Sequence, residues 1–371
     1  MSERIFDVVV VGAGAAGVGA GIALKHAGIN DFAIVDRHGV GASFDRWPAE
    51  TRFITPSFPT NSIGMLDLNS IAIGVSPAFS LGVEHPTGQE FAAHLRDVAA
   101  HFELPVVTGV DVRSIEVVDG IFQIHTGATP LRAKHVVWAA GEFQYPRTSG
   151  FPGSEHCLHT ATIESYESLA GNDWLVIGGY ESGIDAAFHL ASYDCRVKLF
   201  DKGCPWKSDS SDPSVALSTY SIERMSEPFF SEFVELLPHS PVQRVVMYDD
   251  AYEVRLVDGR HFLTKRQPIL ASGFAGSVRL VHDHFELRED GFPLLSVHDE
   301  STLAPGLFLC GPSVRHDHHV FCFIFKYRQR FAVVAKQIAT RLGLPAEDLE
   351  MYRKWGMYLD DLSCCGEECA C

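Results

Sequence analysis

A chain of 371 residues, 46% hydrophobic and 21% charged, exceeds one ordinary domain and has the balance of a globular protein with ample core. A formal net charge of −17 without a basic cluster excludes a polyanion such as nucleic acid as partner, since phosphate backbones need basic surface. No apolar run is long enough to span a membrane and the opening residues lack a leader pattern, so the expectation is a cytoplasmic protein whose thiols stay reduced.

Ile5–Val11 is a near-continuous apolar run, as a parallel strand buried on both faces requires. A turn, Gly12-Ala13-Gly14-Ala15-Ala16-Gly17, leads into a helix over 15–27, and a second strand over 32–35 ends at Asp36 and Arg37. The three glycines have GxGxxG spacing: one for the tight turn, one for backbone approach to a pyrophosphate, one for helix–strand packing. The phosphates then meet the helix N-terminus, and Asp36 faces ribose hydroxyls. Residues 38–80 read as an ordered, irregular insertion, and Thr87 as the cap of a helix over 88–102. Strands follow at Val106–Thr108, 111–118, 121–126 and 136–140, the last ending at Gly141.

The pattern then restarts. Trp174–Ile177 is a strand, Gly178-Gly179-Tyr180-Glu181-Ser182-Gly183 a turn, 184–193 a helix, and 196–200 a strand ending at Asp201. Tyr180 takes the middle glycine's place, and its Cβ hinders backbone approach to a phosphate, so a nucleotide site and a vestigial unit both remain open. Asp201 favours NADH by repelling a 2′-phosphate, while Lys202 leaves NADPH open. Further strands fall at 242–248, Tyr252–Leu256, His261–Thr264, 268–270 and Leu307–Leu309, before a long amphipathic helix over 321–342.

The fold class is therefore α/β, with two Rossmann-like dinucleotide-binding units, the second inserted into the first. Residues 1–160 and 276–350 make the first unit, 161–275 the second, and 351–371 an appended segment with a cysteine-rich tail.

Five of the nine cysteines (Cys157, Cys195, Cys204, Cys310 and Cys322) are scattered and read as core residues. The others, Cys364, Cys365, Cys369 and Cys371, crowd into a short polar tail that cannot build a core around them. A redox arm is one reading, because adjacent cysteines close a strained, labile disulfide. A site for a soft ion such as Zn, Cu(I) or Hg(II) is the second, and an inert end the third. Arg315-His316-Asp317-His318-His319 reads as a pocket-lining segment, a source of a general acid, part of a metal site or a polar cap on the last helix, and His159 as a packing or linker residue.

The chain resembles the flavoproteins with two dinucleotide-binding domains: thioredoxin reductases, flavin-containing monooxygenases and pyridine nucleotide-disulfide oxidoreductases. Besides the glycine turns, the likeness rests on Ala139-Ala140-Gly141 and Ala271-Ser272-Gly273, similar to the turns where the chain passes between domains. It rests also on Pro305-Gly306-Leu307-Phe308-Leu309-Cys310-Gly311, similar to the late flavin-binding strand, although Pro312 replaces the usual Asp. The resemblance implies FAD at the first turn and NAD(P)H at the second. It extends the FAD site to Ser43, Phe44 and Trp47 of a flavin-covering segment, or else a packed aromatic loop, and to Val112. Phe151-Pro152-Gly153 with His159 partly resembles the monooxygenase fingerprint, but the spacing differs and Cys157 replaces its first histidine. The C-x-x-C of thioredoxin reductases and the C-x-x-x-x-C of disulfide reductases are absent, so thiol chemistry falls to the tail, or to Cys322, which the resemblance places near the flavin with a lowered pKa.

Ser363-Cys364-Cys365 resembles the C-terminal pair of mercuric reductase. The resemblance thus implies an FAD enzyme passing electrons from NAD(P)H, NADH being favoured, to a small-molecule or protein thiol/disulfide acceptor through the tail. Alternatives are a monooxygenase-like enzyme and a soft-metal-binding flavoprotein. A homodimer, with the tail serving the partner, is also open.

Overall fold

The computed structural model describes residues 4–59, 66–210, 212 and 214–364. Its first sheet runs β3 (Val106–Thr108), β2 (Phe32–Asp36), β1 (Ile5–Val11), β6 (Leu131–Trp138), with β5 (Ile121–His125) and β4 (Ser114–Val118) beyond. Strand β1 is parallel to both neighbours: Val10 stands opposite Ile34 of β2 and Val137 of β6. Val8, Val9 and Val10 are fully buried, which a strand covered on both faces demands. The N-terminal half of β6 pairs with β5 in an antiparallel meander, and its C-terminal half takes β15 (Leu307–Leu309) as a parallel neighbour. The late strand thus completes the first sheet, as insertion of one unit into the other requires.

Helix Ala15–His26 packs against helix Phe331–Arg341 through small residues. A Cβ on Gly19 would lie 2.1 Å from the Phe331 ring, so the glycine makes room for the phenyl group.

The second sheet is all parallel: β10 (Val234–Leu237), β9 (Val197–Phe200), β8 (Trp174–Ile177), β14 (Ile269–Leu270) and β7 (Leu158–His159). A three-stranded antiparallel sheet, β11 (Val242–Met247), β12 (Tyr252–Leu256) and β13 (His261–Thr264), packs on it, with the Phe200 and Phe262 rings 4.9 Å apart. Strand β7 belongs to this sheet although it precedes the expected boundary at 160/161. Two residues are too few to show a hydrophobic period.

The helix expected over 321–342 is interrupted. It runs Ile324–Tyr327, tightens to a 3-10 turn at Arg328–Arg330 and resumes at Phe331–Arg341. Two buried arginines mark the break. Arg328 donates to the carbonyls of Asp67 and Ser70, and Arg330 donates to Asp299 with both Nε and Nη2 at 2.9 Å. Residues 321–323 precede the helix because Arg315–His316 and His319–Val320 pair as a small hairpin and Phe323 is extended.

Candidate functional site

The two glycine turns repeat one another bond for bond. Gly12 has φ +106° and its N–H donates to Val35 O at 2.8 Å; Gly178 has φ +105° and donates to Phe200 O at 2.8 Å. A Cβ on Gly12 would lie 2.4 Å from Ala139 O, and one on Gly178 2.3 Å from Ala271 O. Gly17 and Gly183 close the turns, where a Cβ would lie 1.8 Å from Gly12 O and Gly178 O. The strand-end acids match too: Asp36 accepts from Ala13 N–H at 2.8 Å and Asp201 from Gly179 N–H at 2.7 Å, and each holds the loop that follows its strand.

What lies in front of the turns differs. Helix Ala15–His26 starts at Gly14 with no side-chain cap and no acid in its first turn. Gly14, Ala15 and Ala16 face a cavity of roughly 410 Å³, and a Cβ on Gly14 would meet nothing within 4 Å. An uncapped helix N-terminus beside open space suits an anion. Asp36, Ser43, Phe44, Trp47, Ala140, Gly141 and Pro312 line the same cavity. Arg37 and Val112 border a smaller recess of roughly 40 Å³ on the far side of Asp36, and Arg37 donates to Gln144, which donates to Ser43 at 3.2 Å. Gly311 closes the late strand, where a Cβ would lie 3.2 Å from Ala16. Most of the residues expected at the first site thus share one cavity, whose uncapped helix end and facing carboxylate fit the chemistry of an FAD pyrophosphate and ribose.

The second turn is covered by its own chain. The Tyr180 hydroxyl donates to Ala216 O at 2.7 Å, and a Cβ on Gly179 would lie 2.5 Å from the Trp206 ring. Glu181 and Ser182 reach the large cavity, but the Glu181 carboxylate is taken by Ser218 N–H (2.5 Å) and the Ser221 hydroxyl (2.6 Å). This covering segment is pinned to the first unit as well. Lys326 donates to Asp212 and Ser214, both at 2.8 Å, and the Cys322 thiol donates to Ser214 at 3.3 Å. Gly273, by contrast, serves the crossing between units: its carbonyl accepts from Arg147 N–H at 2.9 Å and from His159 Nε2 at 3.1 Å.

Sequence reasoning overlooked a joint between the units. Glu50 accepts from the Ser165 hydroxyl at 2.6 Å, and Thr51 donates to Asp185 at 2.6 Å. Burial pushes the Asp185 carboxyl up, but His189, Arg224 and Thr51 outweigh it and bring it down to about 2. Glu142, Phe143 and Gln144 also line the cavity. They follow Gly141 directly, so reading on past the Ala-Ala-Gly turn would have found them.

Cys322 does line the cavity, two residues before the helix. The expected lowering of its pKa is corrected: burial raises it, against Ser214, Lys326 and Arg315, which lower it. Cys157 is pushed up to about 12 by burial. His316 is buried against Asp299 and Phe321 rather than lining the cavity. Cys364 ends a short turn at Leu362–Cys364, while Cys365, Cys369 and Cys371 lie outside the described residues. Among the described residues no group of His, Cys, Asp or Glu is arranged to hold a metal, and no helix is long and apolar enough to cross a membrane.

Two Rossmann-type units, with a dinucleotide cradle at the first glycine turn, place the chain in the fold class of the two-domain oxidoreductases. The chain belongs to the pyridine nucleotide-disulphide oxidoreductase family, whose model matches residues 9–311, and that family implies FAD and NAD(P)H as cofactors. A CzcO-like oxidoreductase of Geobacillus kaustophilus is 32% identical over 202 residues, covering 53% of this chain and 54% of the relative. The chain spans about half the length of the curated relatives it matches. Among solved structures, the bacillithiol disulfide reductase Bdr (YpdA) from Bacillus cereus superposes with a TM-score of 0.72 at 21% identity, covering 91% of this chain and 100% of that one. A flavin-containing monooxygenase from Stenotrophomonas maltophilia gives 0.72 at 15% identity, covering 91% and 99%. At such identities these two show the fold.

Proposed function

We propose that this enzyme takes electrons from NAD(P)H onto FAD and passes them through the C-terminal cysteines to a thiol, disulfide or other thiol-reactive acceptor. The observation that carries this reading is the root of the tail. Leu359 N–H donates to Gln329 O at 3.0 Å, Arg330 donates to the Leu359 carbonyl, and Arg353 holds Asp360 through two bonds at 2.7 and 2.6 Å. The tail thus departs from the element that begins at the cavity with Ile324. The seven residues after Cys364 span at most about 24 Å when extended, and this reading requires that span to bring a thiol to a cavity wall on the same chain or on a partner in a homodimer.

When bound, the flavin accepts a hydride and releases electrons; the chain positions it and controls access. The free N–H groups at Gly14–Ala16 hold the pyrophosphate, Asp36 holds the ribose, and Phe44 and Trp47 exclude water. NADH is the favoured donor, because Asp201 meets any 2′-phosphate with like charge. A cytoplasmic setting would keep the tail thiols reducible. The likeness to a bacillithiol disulfide reductase makes a low-molecular-weight disulfide the first acceptor to assay. Steady-state NADH oxidation with that acceptor is expected to fall at least tenfold when Cys364 and Cys365 are both changed to Ser, with flavin content unchanged. Equal rates in the two proteins would remove the tail from the path.

A further inference from the structure

Glu142 is the one acidic residue between Gly141 and Arg147, at the point where the chain leaves the first sheet for the second. Its backbone is fixed. The Glu142 carbonyl accepts from Tyr145 N–H at 2.8 Å, and the Gly141 carbonyl accepts from Ser277 N–H at 2.9 Å. A Cβ on Gly276 would stand 4.0 Å from the Glu142 Cβ, so the residue leading into the turn Ser277–Leu280 lies close to it. The side chain faces the large cavity, which it shares with Gly14, Pro312 and Cys322. Its carboxylate has neither a hydrogen bond nor an ion pair among the described residues; Arg315 and Arg147 act on it only at longer range. The residue is half-buried, and a carboxylate at a cavity wall without a protein partner is open to a ligand or a proton.

The charges around it are few. Glu142 feels Arg315 and Arg147. Cys322 feels Glu142, Arg315 and Lys326 and bonds Ser214, and the Tyr180 and Tyr327 phenols lie within its electrostatic reach. Burial raises the Glu142 carboxyl above the usual carboxylate range despite the two arginines, which keeps a proton on it further toward neutral pH.

We propose that Glu142 is the proton-transferring residue of this cavity, supplying the second proton when a disulfide is reduced in it. The inference rests on the disulfide-acceptor reading above. Breaking one S–S bond into two thiols takes two electrons and two protons. With reduced FAD bound, both electrons and one proton would come from the cofactor; Glu142 supplies the other proton and is left as carboxylate, to be reprotonated from water. Cys322, which lines the same cavity and feels its charge, reports on it.

The first experiment is alkylation of Cys322 in the flavin-loaded protein, resolved from the tail thiols by peptide mass spectrometry, across pH 5–9. In the wild type the rate should bend where Glu142 ionises. Glu142→Gln should lose that bend and react several-fold to about tenfold faster near neutral pH, one pKa unit being tenfold, while Glu142→Asp keeps the bend. Superimposable wild-type and Glu142→Gln profiles would overturn the proposal. The second experiment is single-turnover reoxidation of reduced protein by a small disulfide. Glu142→Gln should slow it by roughly 10²–10⁴, the usual span for a lost general acid, and flatten its pH profile; an unchanged rate overturns the role. If the wild type itself reduces no disulfide, the acceptor reading fails, while the alkylation profile still judges Glu142.

Discussion

Gly14→Val is expected to yield a folded protein without flavin. Gly14 has φ −81° and ψ −170°, which a branched residue adopts freely, and a Cβ there meets nothing within 4 Å. The fold therefore tolerates the change. The new methyls enter the space in front of the uncapped helix end, where the pyrophosphate must approach the backbone. A loss of at least ~100-fold in FAD affinity is expected, about 2.7 kcal/mol, read as lost visible absorbance in protein that keeps its melting transition. Gly12→Val is the contrasting control. Its Cβ would lie 2.4 Å from the Ala139 carbonyl oxygen at φ +106°, so it should fail to fold rather than fail to bind. Full flavin content in Gly14→Val would place the cofactor elsewhere.

Tyr180→Gly should have the opposite sign at the second turn, tightening NAD(P)H binding. The native ring stands where a dinucleotide backbone would approach, and its hydroxyl ties down Ala216. Nucleotide entry has to break that bond and displace the segment held by Glu181 and Lys326. Removing the ring abolishes the neutral hydrogen bond to Ala216, worth about 1 kcal/mol net, and frees the approach, so the dissociation constant should fall roughly tenfold. Fluorescence titration of nicotinamide in wild type and variant measures it. Unchanged or weaker binding would mean that Tyr180 contacts the nucleotide instead of obstructing it.

The glycine turns were legible because a positive φ or a close backbone approach leaves only glycine at Gly12, Gly17, Gly178 and Gly183, and the repeat of strand, turn, helix and acid is periodic. The insertion of one unit in the other followed from the late strand Leu307–Leu309, whose place beside β6 is bonded as expected. The interrupted last helix was not legible, because Arg328 and Arg330 look like surface residues until Asp67, Ser70 and Asp299, distant in sequence, fold against them. The covering of the second turn was foreshadowed by Tyr180 alone; the bonds of Glu181 to Ser218 and Ser221 depend on a loop without any sequence period. Glu142 escaped notice because one acid in a loop carries no signal until the cavity in front of it is seen. Cys322 lines the cavity, but the chemistry expected of its thiol was misjudged, since burial outweighs the nearby cations.

The most direct measurement is an anaerobic NADH titration of the air-oxidised holoprotein, counting two-electron equivalents needed to bleach the flavin. The account predicts two or more equivalents per flavin, falling to one when Cys364 and Cys365 are both changed to Ser. One equivalent in the wild type would contradict it, leaving the tail without a disulfide in redox contact and the flavin to act as in a monooxygenase.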